Sequence, residues 1–142
     1  MAVVGPGEAS TTELAAAEAA GAELARRGAV VVCGGLGGVM EAACRGAKGA
    51  GGMTVGILPG FDRVAANPFV DFALPTGLGE ARNALVARAA DGLVAVGGGY
   101  GTLSEIALAL KAGKRVVGVA TWDIEGIEVA GSAEDAVEAV LT

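Results

Sequence analysis

Hydrophobic residues fall along this chain in short unbroken runs rather than in strict alternation with polar ones. Ala2–Val4, Ala29–Cys33, Thr54–Leu58, Phe69–Leu74, Gly92–Val96 and Arg115–Val119 each have the length and composition of a strand, and Ile127–Val129 is a further short one. Between them lie Ala-rich segments with helical signals. Leu14–Arg27 follows Ser10 and Glu13, spaced as a capping box, and stops at Gly28. Val39–Ala50, Glu80–Ala90 and Thr102–Ala112 are the next three. Ala133–Leu141 closes the chain behind a second box, Ser132 and Asp135. Strands that are apolar on both faces belong in a parallel sheet covered by helices on each side. The alternation predicts a single α/β domain over residues 1–142. It is Rossmann-like and doubly wound, with a mostly parallel sheet of about six to seven strands and right-handed crossovers. Phe61–Pro68 is the long irregular stretch, expected to be an exposed flap.

Composition narrows the chemistry. The chain has 142 residues, one domain's worth, and 25 of them are glycine without a three-residue period, which excludes collagen. Hydrophobic residues make up 53% and mean hydropathy is +0.58, which excludes disorder. There is no histidine, so Ser-His-Asp and Cys-His mechanisms and imidazole metal sites are removed. Cys33 and Cys44 form no CxxC pair and are expected as buried free thiols in a reducing compartment, with no metal. Net charge is −6, and the ten Lys and Arg residues are scattered. That argues against nucleic acid and anionic membranes as partners. No run is long enough to span a bilayer and no secretory signal opens the chain, so a cytoplasmic protein is expected.

Three glycine clusters each follow a strand and precede a helix: Gly5-Pro6-Gly7, Gly34–Gly38 and Gly97–Gly101. At the C-terminal edge of a parallel sheet, such loops turn N–H groups toward an anion, and a helix N-terminus adds positive potential. This makes Gly5, Gly7, Gly34, Gly35, Gly37, Gly38, Gly97, Gly98, Gly99 and Gly101 candidate phosphate-binding positions. No cluster completes G-x-G-x-x-G, since Met40 and Thr102 stand where the last glycine would be, and there is no P-loop. Tight strand–helix turns are the other explanation for each cluster.

Among side chains, Glu105 is the sharpest candidate. It either completes a capping box with Thr102 or faces a ligand from the first turn of a helix, Leu103–Ala112, whose apolar residues predict burial on more than one side. Arg82 offers a planar fork to an anion, or else pairs with Glu80 at the surface. Asn83 either contacts a ligand or caps. Tyr100 either stacks on a base or packs locally, and Trp122 either walls the pocket or anchors a loop.

These residues resemble a known family. Val94–Glu105 (VAVGGGYGTLSE) resembles the PGGxGTxxE signature of the LONELY GUY proteins, long mislabelled lysine decarboxylases, and Glu80–Asn83 resembles their Arg-Lys segment. The blocks CGGLGGVMEAACRGA, PTGLGEARN and VGGGYGTLSEIALALKAGK are similar to a bacterial branch of that superfamily, the molybdenum cofactor carrier proteins. That branch implies a binding module for a phosphorylated small molecule, a nucleotide or the molybdenum cofactor itself. The ligand would be held by the Gly97–Thr102 loop, with no further cofactor required. LONELY GUY enzymes imply the alternative, hydrolysis of the N-glycosidic bond of a nucleoside 5′-monophosphate, with Arg82 and Glu105 as the catalytic pair. A regulatory nucleotide sensor is a third class, without a specific feature of its own. Two positions depart from the signature: its Pro is Gly97 here, and its Lys is Asn83. The resemblance also implies a homodimer or homotetramer with helices near the site at the interface.

Overall fold

The computed structural model describes residues 1–142. Seven strands form one sheet in the order β4-β3-β2-β1-β5-β6-β7, and every pairing is parallel. They are β1 (Ala2–Val4), β2 (Val31–Cys33), β3 (Thr54–Leu58), β4 (Phe72–Pro75), β5 (Gly92–Val96), β6 (Arg115–Val119) and β7 (Ile127–Val129). The helices are α1 (Thr11–Arg26), α2 (Val39–Gly49), α3 (Arg82–Ala89), α4 (Tyr100–Lys111) and α5 (Ala133–Leu141). The expected Rossmann-like α/β architecture is therefore present.

Valine-rich strands bury side chains on both faces. Val3, Val31, Val94, Val96 and Val117 point into a core with α1, α2 and α5. Ala2, Val4, Val32, Leu93 and Val116 point the other way, toward α3 and α4. Successive strand residues face opposite sides, so each strand serves both layers. The chain winds outward from β1 to β4 and then crosses back to β5 on the other side of β1. The β1/β5 boundary is thus where the winding reverses, and loops leaving these two strands diverge and open a crevice.

Helices α1 and α2 pack unusually closely because their interface is built from alanine and glycine. A Cβ on Gly46 would lie 1.9 Å from the Glu18 carbonyl oxygen, and one on Gly21 would lie 2.0 Å from that of Ala43. Gly46→Ala must therefore push two backbones apart. It is expected to lower unfolding stability by about 2 kcal/mol, read as a drop in the urea midpoint at unchanged slope.

Several boundaries differ from those predicted. β2 begins at Val31 rather than Ala29, because the Ala29 amide closes α1 on the Leu24 carbonyl and the Val30 carbonyl accepts from the Met1 ammonium. β4 begins at Phe72 rather than Phe69. The Thr54 hydroxyl donates to the Phe69 carbonyl at 2.6 Å and the Asp71 carboxylate accepts from the Thr54 amide, so side chains take over most of the pairing beside one remaining main-chain bond, from the Asp71 amide to the Thr54 carbonyl. Pro75, expected to stop this strand, is its last residue, which an edge strand tolerates. α3 starts at Arg82, after a 3-10 turn at Gly79–Ala81, rather than at Glu80. α4 starts at Tyr100 rather than Thr102. The Phe61–Pro68 flap carries exposed Phe61 and Val64, but Asn67 ties it down: its Nδ2 donates to the Leu36 carbonyl and its amide to that of Gly35.

Candidate functional site

Three strands that end in glycine clusters, β2, β1 and β5, are neighbours in the sheet, so the three loops share one edge. They are not equivalent. At α1 the Ser10 hydroxyl accepts from the Glu13 amide and the Glu13 carboxylate accepts from the Ser10 amide, so that helix caps itself. At α2 the Val39 amide donates to the Pro6 carbonyl. At α4 the N-cap is Gly99, which has no side chain to cap with. The N–H groups of its first turn have no partner within the helix. α2 likewise has a glycine N-cap without a side-chain cap, but α4 lacks even the loop carbonyl that α2 receives.

A cavity of about 270 Å³ lies there. Gly5, Pro6 and Gly7 form one wall, and Gly99, Gly101 and Thr102 another. Arg82 and Asn83 enter from α3, Met40 from α2, and Glu105 closes the floor. The loops approach tightly: a Cβ on Gly5 would meet the Val96 carbonyl at 2.4 Å. An open groove of about 570 Å³ between α3 and α4 shares Arg82, Asn83 and Gly101 with this cavity, and adds Glu80, Tyr100, Ser104 and Leu108.

The remaining predicted glycines shape the site rather than line it. The Gly34 carbonyl accepts from Arg82 Nη2 at 3.3 Å. Gly35 packs on Gly56 and Leu58, Gly38 packs on the Pro6 and Gly7 carbonyls, and Gly37 faces open space. Gly97 has φ +68° and sits against the Glu13 carboxylate. Proline is confined to negative φ, so the LONELY GUY proline cannot occupy this backbone. Gly98 packs on Trp122, whose indole N–H donates to the Gly99 carbonyl at 3.0 Å. Trp122 is therefore a loop anchor. Tyr100 is 85% exposed, its ring centroid 6.0 Å from that of Trp122.

Arg82 is only 9% exposed and makes no ion pair, so the alternative of a surface pairing with Glu80 is absent. Its Nη1 donates to Asn83 Oδ1, Asn83 Nδ2 donates to Ser104 Oγ at 3.2 Å, and the Ser104 hydroxyl donates to the Gly101 carbonyl at 2.6 Å. This relay locks α3 to the first turn of α4 and fixes the guanidinium at the cavity. Lysine at position 83 has no acceptor and could not take the middle role. Arg82 Nε and the Thr102 hydroxyl oxygen are both buried without any protein partner. Buried polar atoms are costly to leave unpaired, and both residues line this cavity.

Glu105 is not a capping residue. Because α4 begins at Tyr100, Thr102 lies inside the first turn and Glu105 in the second. The buried stripe of α4 is Thr102, Glu105, Ile106 and Ala109. Leu103, Leu108 and Leu110 are half-buried and Ala107 is exposed, so the helix is not buried on two sides as expected. The Glu105 carboxylate makes no hydrogen bond in the protein, and burial pushes it up to about 7 against the opposing pull of Arg82. Behind the cavity, Cys33 and Cys44 are free, buried and 3.5 Å apart. Their mutual hydrogen bond and burial hold the Cys33 thiol well above the usual range.

Sequence reasoning missed Pro6 and Met40 on the cavity wall, and Ser104 and Leu108 in the groove. Met40 lies one residue into α2, and the helical spacing Val39–Gly49 with its start at Gly38 could have pointed to it. Nothing in the local pattern singles out Ser104.

A family model, SLOG cluster4, matches residues 1–141. The chain belongs to the SLOG cluster4 family. An uncharacterised protein of Archaeoglobus fulgidus is 46% identical over 136 residues, which spans 95% of this chain and 89% of that protein. Among solved structures, the molybdenum cofactor binding protein of Rippkaea orientalis is similar with TM-score 0.93 and 40% identity, covering 99% of this chain and 93% of that one. The molybdenum cofactor carrier protein of Chlamydomonas reinhardtii gives TM-score 0.88 and 38% identity, covering 99% and 94%. The two solved structures share this fold over nearly the whole chain and bear out the carrier-like resemblance read from the glycine-rich blocks. No helix is long and apolar enough to cross a membrane.

Proposed function

We propose that this protein binds a phosphorylated small molecule of the molybdenum cofactor class at the β1/β5 crevice and carries it without chemical change. The observation that carries this reading is the pair of buried, unpartnered polar atoms, Arg82 Nε and the Thr102 hydroxyl oxygen, beside the open N-terminus of α4. A phosphate or similar anion would take the loop amides and Arg82, and the larger ring system would extend into the α3/α4 groove beside Tyr100. The names of the two solved relatives support this ligand class. Asn83 supports binding over turnover, because it spends its acceptor on holding Arg82 where the hydrolase signature has a second cation.

One observation favours the second reading, a nucleoside 5′-monophosphate phosphoribohydrolase. Glu105 stands in the same cavity as Arg82 with a carboxyl poised near neutrality, as acid–base work requires. Mass spectrometry of the protein as purified, together with a search for free base after incubation with AMP, separates the two. A bound pterin phosphate and no base release is the expected result. Base release that disappears in Glu105→Gln overturns the carrier reading.

The reading includes a cytoplasmic homodimer or homotetramer. Phe72 and Leu74 share one face of edge strand β4 and are about half exposed, as are Leu78 and Leu85 nearby in sequence before and within α3. Such apolar exposure fits a surface covered by a second copy.

A further inference from the structure

Glu105 is out of place in a cavity whose other features suit an anion, and this conflict has a physical resolution. We propose that the anion and a proton bind together in this cavity, with Glu105 holding the proton, so that the protein grips its cargo at neutral and lower pH and releases it as pH rises. This rests on the anion-binding reading above and adds its regulation.

The geometry leaves Glu105 few other options. It is 6% exposed, its carboxyl makes no hydrogen bond or ion pair within the protein, and it lines the same 270 Å³ space as the loop glycines. The charged and titratable groups facing it are few. From α3 comes Arg82, the one cation on the cavity wall. At the end of β2 the Cys33 thiol lies behind it, neutral through burial and its bond to Cys44. The β1 loop brings only Gly5, Pro6 and Gly7, α2 brings Met40, and the start of α4 brings Gly99, Gly101 and Thr102.

One guanidinium and a helix N-terminus balance roughly one and a half negative charges. A dianion alone exceeds that, and a carboxylate in the same small space adds a further like charge, which strongly favours its neutral form. Burial already places the Glu105 carboxyl at about 7 in the absence of ligand, so the proton is available near neutrality. Once protonated, the carboxyl also changes role: its O–H becomes a donor and joins the loop amides in holding the anion's oxygen. Above pH 7 about one proton is taken up per anion bound and returns to solvent on release, whereas at lower pH the proton is already in place.

Sulfate is the suitable probe, because it stays a dianion across the range in which phosphate itself titrates. Sulfate affinity is measured from about pH 6 to pH 8.5 by calorimetry for the wild type and Glu105→Gln, with circular dichroism as the check on folding. The wild type is expected to weaken roughly tenfold per pH unit above about pH 7, and to take up about one proton per sulfate near pH 8 in buffers of differing ionisation enthalpy. Glu105→Gln is expected to bind with no pH slope and no proton uptake, and more tightly than the wild type at the alkaline end. Sulfate binding by the wild type with no pH slope, or an equal slope in both proteins, overturns the proton linkage alone. If neither protein binds sulfate at any pH, the anion-binding reading falls and the linkage with it.

Discussion

Gly99→Val is expected to lower anion affinity by about a hundredfold or more, close to 2.8 kcal/mol, while leaving the melting temperature of the free protein nearly unchanged. The two halves of this prediction have separate physical grounds. Gly99 has φ −116° and ψ 173°, extended backbone that valine adopts readily. Its Cβ would have Pro6 Cβ as its nearest neighbour at 3.8 Å, an ordinary contact, so the folded chain has room for it. The Gly99 carbonyl keeps its bonds from the Trp122 indole and the Leu103 amide, since neither involves a side chain at 99. The loss falls on the ligand. Gly99 is the N-cap of α4 and part of the cavity wall, so two γ-methyls stand where an anion would reach the first-turn amides. Sulfate titration, with thermal melting in its absence, checks both halves. Gly99→Ala grades the effect, because a single methyl at van der Waals distance should cost only a few-fold. Unchanged affinity in the valine variant would remove the α4 N-terminus from the site.

Glu105→Gln is expected to stabilise the ligand-free protein by about 3 kcal/mol at pH 8 and by little near pH 4.5. The carboxyl titrates at 4.5 in the unfolded chain and at about 7 in the folded one. Between these values the folded state holds a proton that the unfolded chain releases. Stability of the wild type therefore falls as pH rises through this window, and the loss is complete above about pH 7. Burial is the cause, and Arg82 offsets it only in part. Glutamine has the shape of the protonated acid and never ionises, so the variant lacks this slope. Urea unfolding at several pH values reads the difference directly. Equal pH dependence in the two proteins would mean that Glu105 is solvated in solution. Keeping an unpaired carboxyl at the cost of stability at physiological pH fits the ligand-facing role we propose for Glu105.

The order of elements was legible because each depends on local physics. Runs of valine cannot satisfy helical crowding as well as they fill a pleated, two-sided sheet. Ser10 with Glu13 and Ser132 ahead of Asp135 announce helix starts that the structure places at Thr11 and Ala133. The candidate cavity was half legible. Gly5, Gly7, Gly99, Gly101, Thr102, Asn83, Arg82 and Glu105 do come together. Gly34, Gly35, Gly37, Gly38, Gly97 and Gly98 do not reach its wall, because glycine composition reports that a backbone needs room without saying whether a ligand or another loop fills it.

By itself, the sequence determined the alternation of strands and helices, the parallel sheet with two buried faces, and a glycine-lined edge carrying one guanidinium and one carboxylate. Periodicity, capping and apolar runs act over a few residues, so one chain suffices to read them. Only the tertiary structure decided which of three helix N-termini stays most open. α1 is capped by Ser10 and Glu13, α2 has one amide taken by a carbonyl from a loop more than thirty positions earlier, and α4 has neither kind of partner. It also decided that α4 begins two residues early, which turns Glu105 from a capping residue into a buried, unpartnered acid, and that Asn83 and Ser104 brace Arg82 across two helices. Such outcomes depend on where distant backbone groups arrive, and desolvation and hydrogen-bond satisfaction are properties of that arrival rather than of any local stretch of chain.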